Sequence, residues 1–132
     1  MFWKRKARFW TDAIYLVYTD AEAGAEWWIS TFGAKRVALP EWDDPLPNDI
    51  AVQFPDGETP SICISTSEDV RRSGLDRAST PHPVVVCNDI ELASQHCQAR
   101  GASPTAIHDG RGPRYFEITD PDGNLIEICE DV

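Results

Sequence analysis

The chain has 132 residues, 22 of them acidic and 12 basic, for a formal net charge of −10. That balance argues against a nucleic-acid or anionic-membrane partner, because a phosphate surface calls for a basic stripe. It leaves neutral or cationic small molecules as partners, beside the ordinary contribution of charge to solubility. The length suits one domain, 1–132, able to bury a core without disulfides. Cys63, Cys87, Cys97 and Cys129 form no C-x-x-C pair and read as buried free thiols in a reducing cytoplasm. Lys4, Arg5, Lys6 and Arg8 read as a solvated arm, since no signal-type apolar segment follows them, and no run is apolar enough for a membrane span.

In chain order, the apolar run 13–19 meets Asp20, placed as an N-cap, with Glu22 complementing the helix dipole in the first turn. Ala21, Ala25, Trp28, Ile29 and Phe32 follow at helical spacing, and Gly33 stops the helix. Strands are expected over 35–39, 50–54 and 61–66, with an acidic loop, 40–47, between the first two. The order then repeats. The run 84–88 meets Asp89 and Glu91, a helix carries Ile90, Ala93 and Cys97 up to Gly101, and strands are expected over 105–108, 115–119 and 125–129. Asp20 and Asp89 are 69 residues apart, Gly33 and Gly101 are 68 apart, and Pro55-Asp56-Gly57 recurs 66 residues later as Pro121-Asp122-Gly123. Such near-constant offsets mark an internal duplication. The expected fold class is α+β, two paired βαβββ modules at about 10–70 and 80–132.

Asp120-Pro121-Asp122-Gly123-Asn124 joins a fixed φ to a permissive one and forces a hairpin. In the strand that follows, alternation puts Leu125, Glu127 and Cys129 on one face and Ile126 and Ile128 on the other. Glu127 is therefore a carboxylate among apolar neighbours. It is read either as the wet side of an edge strand or as a functional group in a cleft.

The 116–127 hairpin, the strand-Asp-helix openings at Asp20 and Asp89, and His82 seven residues before Asp89 resemble the vicinal oxygen chelate superfamily. That group includes glyoxalase I, bleomycin-resistance proteins, fosfomycin-resistance enzymes and extradiol dioxygenases, and the resemblance spans nearly the whole chain. It implies a mixed sheet curled around a central cleft, a homodimer and, in many members, a divalent metal held by the first and last strands of each module. Module two matches at His82 and Glu127, an imidazole and a carboxylate suited to zinc, iron, nickel or manganese. Module one departs from the pattern. Ala13 stands where a histidine is expected, and Ser61 or Cys63 stands where the second carboxylate is expected. Tyr15 and Cys63 are the additional candidate ligands, although a buried thiol resists ionisation.

Trp42, flanked by Glu41, Asp43 and Asp44, suits a cationic planar guest, or else pins its own loop. Arg114 and Tyr115 are candidate ligand contacts beside the Gly110-Arg111-Gly112 loop, and His96, at the helix position of Trp27, falls at a surface or packing position. Two functional classes stay open. One is a metal-free binder of a small molecule in the cleft. The other is a divalent-metal lyase, isomerase or dioxygenase, similar to lactoylglutathione lyase, with Glu127 catalytic and His82 and Glu127 as ligands. The missing module-one ligands favour the binder, and nothing positive supports a regulatory module.

Overall fold

The computed structural model describes residues 6–41, 45–56 and 61–131. Among them lie strands β1 (Phe9–Trp10), β2 (Ile14–Tyr18), β3 (Lys35–Val37), β4 (Ile50–Gln53), β5 (Ile62–Thr66), β6 (Val84–Cys87), β7 (Tyr115–Thr119) and β8 (Leu125–Glu130). The helices are α1 (Ala21–Phe32), α2 (Ser67–Ser73) and α3 (Ile90–Ala99). Two four-stranded mixed sheets result, ordered β2-β5-β4-β3 and β1-β6-β8-β7. In each, the first strand of a module pairs in parallel with the last, and the last pairs antiparallel with the third. The duplication inferred from the offsets is thus repeated in strand order. The expected strand at 105–108 is reduced to one bridge, His108 to Tyr115.

The capping chemistry holds. Asp20 accepts from the Ala23 N–H and Asp89 from the Leu92 N–H, each at 3.1 Å. Gly33 takes the left-handed conformation (φ 73°) that an L side chain would resist, and its N–H reaches the Ile29 carbonyl. Leu16, Tyr18, Val52, Ile62 and Ile64 turn to α1, while Val85, Phe116, Ile118, Ile126 and Ile128 turn to α3, all of them buried. Burial of each such side chain contributes about 1.5–3 kcal/mol before chain entropy is counted.

Two features depart from the sequence expectation. Helix α2 follows β5 directly, capped by the Thr66 hydroxyl on the Asp69 N–H. The basic stretch is also not a solvated arm throughout. The Arg8 backbone exchanges bonds with Asn88, whose side-chain amide donates to the Lys6 carbonyl, and Phe9 is buried against Phe32 and His96.

The lead-ins to the modules are exchanged. Thr11, leading to β2, donates its hydroxyl to the Val84 carbonyl of β6. Thr80, 69 residues later and leading to β6, bonds the Tyr15 backbone of β2 at 2.6 and 2.9 Å. Each module's first strand is therefore edged by the chain entering the other.

His96 joins the modules at another point. Because Thr31 O can only accept, His96 Nε2 carries the proton in the 2.7 Å bond between them. Burial lowers the imidazole pKa below its ordinary 6.5, with the Thr31 bond opposing. The neutral ring is then favoured by folding. Its contribution is complete above 6.5 and is lost as pH falls through the lower folded value. The urea midpoint should fall between about pH 7.5 and 5.5, and His96→Asn should reduce that fall.

Candidate functional site

Each sheet has a face turned away from its helix. In module two the alternation of β8 places Leu125, Glu127 and Cys129 there, as the periodicity predicts, with Ile126 and Ile128 buried beneath. Glu127 pairs with Val84 of β6 and stands opposite Glu117 of β7. Cys129 stands opposite Tyr115, whose ring stacks on His108 at 4.7 Å and 14°. The face therefore runs from an aromatic platform through a pair of carboxylates to exposed Val84 and Leu125. Glu117 escaped the sequence reading because only strand register sets it beside Glu127.

Register also identifies the module-one counterpart of Glu127. Tyr15 and Val84 each lie five residues before an N-cap aspartate, and they pair with Cys63 and Glu127 respectively. Cys63, not Ser61, is thus the equivalent position. Its thiol is pushed up to about 11, by burial first and by Asp49 second. It stays protonated at neutral pH and is a poor ligand for a metal.

Module one carries a different polar group on this face. The Asp49 carboxylate, fully buried, accepts from the Leu46 N–H at 2.9 Å, the Ser65 hydroxyl at 2.6 Å and the Arg77 guanidinium at 3.3 Å. The Tyr15 hydroxyl meets Ser65 Oγ at 2.8 Å, and Arg77 lies over the Tyr15 ring, 5.2 Å from its centroid. Burial raises the Tyr15 pKa, with the Ser65 bond opposing, so the phenol stays neutral. The sequence reading named Tyr15 but missed Asp49, Ser65 and Arg77. They come from a loop, a strand and the segment after α2, and no local motif joins them.

His82 lies just outside β6, exposed, with a φ of 47° that is unusual for a residue other than glycine. The Glu127 N–H donates to the carbonyl of the next residue, Pro83, at 3.0 Å, which sets the Glu127 backbone beside the His82–Pro83 segment. Arg114 forks between Glu91 (2.6 Å) and Glu130 (3.1 Å), and these two carboxylates hold its pKa above the usual guanidinium value. Trp42 lies outside the described residues.

A catalytic metal centre needs about three protein ligands and an open position. Among the described residues, one trio of His, Cys, Asp or Glu brings its donor atoms within 4.8 Å of one another: Asp89, Glu91 and Glu130. That trio is committed elsewhere. Asp89 caps α3, Glu130 accepts from the Ile90 N–H, and Arg114 bridges Glu91 and Glu130. Among the described residues, His82, Glu127 and Cys63 take part in no such trio.

A cavity of about 500 Å³ opens at the carboxyl ends of β2 and β5, lined by Asp20, Glu22, Arg36, Asn48 and Thr66 among others. The Arg36–Glu22 ion pair crosses its wall at 2.6 Å. No helix is long and apolar enough to cross a membrane, among the described residues.

The solved structures that this chain resembles share its fold at low sequence identity. A superfamily member from Sphaerobacter thermophilus is 20% identical, with a TM-score of 0.69 over 92% of this chain and 97% of that one. TnmS3, an antibiotic binding protein from Streptomyces sp. CB03234, is 16% identical, with a TM-score of 0.67 over 92% and 95%. A lactoylglutathione lyase from Agrobacterium tumefaciens is 15% identical, with a TM-score of 0.67 over 90% and 91%. No curated protein matches the sequence significantly. A family model does match, over residues 10–128, and with the duplicated strand order it places this chain in the Glyoxalase/Bleomycin resistance protein/Dioxygenase superfamily.

Proposed function

We propose that the protein binds a small cationic, planar organic molecule against the sheet faces turned away from α1 and α3, with Glu127 as the principal contact and no metal required. The observation that carries this reading is the Glu117–Glu127 pair, directly opposed across β7 and β8 between an aromatic platform and exposed apolar side chains. Like charges at such positions repel by up to about 1 kcal/mol. A bound cation relieves that repulsion, while Tyr115 and the Val84–Leu125 end supply contact for an apolar or aromatic body. Arg114, clamped between Glu91 and Glu130, orients the strand that carries Tyr115. The antibiotic-binding relative of the same fold is consistent with such a role. The four thiols suit a cytoplasmic setting, and a homodimer would be read by light scattering.

The direct test is a fluorescence titration of chelator-treated protein with proflavine, a planar cation. Saturable one-to-one binding that weakens with salt is expected, and its absence would remove the reading. A metal-dependent lyase or dioxygenase is the second reading, favoured by the bond that sets Glu127 beside the His82–Pro83 segment. It predicts stoichiometric zinc, nickel, iron or manganese in protein purified without chelator, and loss of that metal in His82→Ala.

A further inference from the structure

Hydrogen-bond direction around Asp49 dictates what Tyr15 can offer a ligand. Paired with Arg77, the Asp49 carboxylate has no proton to give, so the Ser65 hydroxyl must donate to it across their 2.6 Å contact. Ser65 has only one proton. Its oxygen then accepts, from Arg77 at 3.2 Å and from the Tyr15 hydroxyl at 2.8 Å. The Tyr15 proton is directed inward to Ser65, and any further partner of the phenol oxygen must be a donor.

We infer that Tyr15 is a specificity-determining acceptor which selects ligands bearing an N–H or O–H donor beside their positive charge, with its direction imposed by the buried Asp49. The inference rests on reading these faces as the ligand site. Both modules then present the same chemistry. Glu117 and Glu127 accept only, and Tyr15 accepts only, so the favoured ligand is a protonated amine or amino-substituted aromatic cation rather than a fully alkylated one.

Asp49→Asn makes the direction testable. The Asp49 Oδ2 position faces two donors, the Leu46 N–H and Arg77, so the asparagine oxygen belongs there and its amide nitrogen faces Ser65. That nitrogen donates to Ser65 Oγ. The serine proton then turns to the Tyr15 oxygen, and the Tyr15 proton turns outward.

Two readouts follow. In Raman difference spectra against Tyr15→Phe, which isolate Tyr15 from the other tyrosines, the ring doublet should change from a donating phenol in the native protein to an accepting one in Asp49→Asn. An unchanged doublet would overturn the assigned direction. In the binding readout, proflavine carries free amino N–H groups, whereas acridine orange is the same ring with those nitrogens methylated. Native protein should prefer proflavine by about five-fold, the contribution of one hydrogen bond. Tyr15→Phe, which keeps the ring and its packing, should reduce the preference to what the Glu117 and Glu127 carboxylates alone supply, and Asp49→Asn should reduce it at least as far. A preference kept intact by Tyr15→Phe would sink the proposal even if Asp49→Asn failed to fold. If neither dye binds, the reading of the site falls, and the Raman doublet still decides the direction.

Discussion

Asp120→Ala should destabilise the protein by about 3–5 kcal/mol, because it strips a buried acceptor from several donors at once. Asp120 accepts from the Tyr18 hydroxyl at 2.6 Å, from the Asp122 and Asn124 backbone N–H groups, and from the Asn124 side-chain amide. Tyr18 in turn accepts from Trp28 Nε1 at 2.9 Å. Burial and then Asp120 raise the Tyr18 pKa far above its ordinary value, so the phenol remains a donor. The hairpin turn of module two is thereby fastened to the core of module one. The Tyr18 ring is also packed closely on α1: a Cβ added at Gly24 would come within 2.5 Å of it. Urea unfolding of Asp120→Ala and Tyr18→Phe checks this. Tyr18→Phe should cost less, about 1–2 kcal/mol, since it leaves the turn's own bonds to Asp120 in place.

Glu127→Ala should have the opposite character. Its backbone is held by strand pairing on both sides, its side chain is only partly buried, and it makes no hydrogen bond or ion pair among the described residues that removal would orphan. Stability should change by less than about 0.5 kcal/mol, or rise slightly as the repulsion from Glu117 disappears. Affinity for a cationic guest should fall at least about ten-fold, in the range set by a charge-assisted contact. Parallel unfolding and titration curves separate the two effects.

Much of the fold could be read locally. The cap aspartates, the helix-stopping Gly33, the alternation around Glu127 and the near-constant offsets each depend on residues close in sequence, and together they gave the modules and their order. The missing features are non-local. Pairing of β1 with β6 joins Phe9 to Cys87, and nothing in a two-residue strand announces such a partner. Helix α2 had a readable signal, Thr66 three residues before Asp69, but its short run of polar residues carries little periodicity. The site divides the same way. Glu127 and Tyr115 stand out against their own strands, whereas Glu117 emerges only through register and Asp49, Ser65 and Arg77 only through tertiary assembly. The equivalence of Cys63 with Glu127 likewise required the paired strands, because the two modules differ in hairpin length.

The most direct test of the account is a titration of chelator-treated native protein, Glu127→Ala and Glu117→Gln with proflavine, each variant first shown to unfold at the native urea midpoint. The account predicts saturable binding to native protein without metal, weaker binding by Glu117→Gln, and loss of binding by Glu127→Ala. Native affinity in a folded Glu127→Ala variant, or binding that appears only after zinc or nickel is restored, would contradict it.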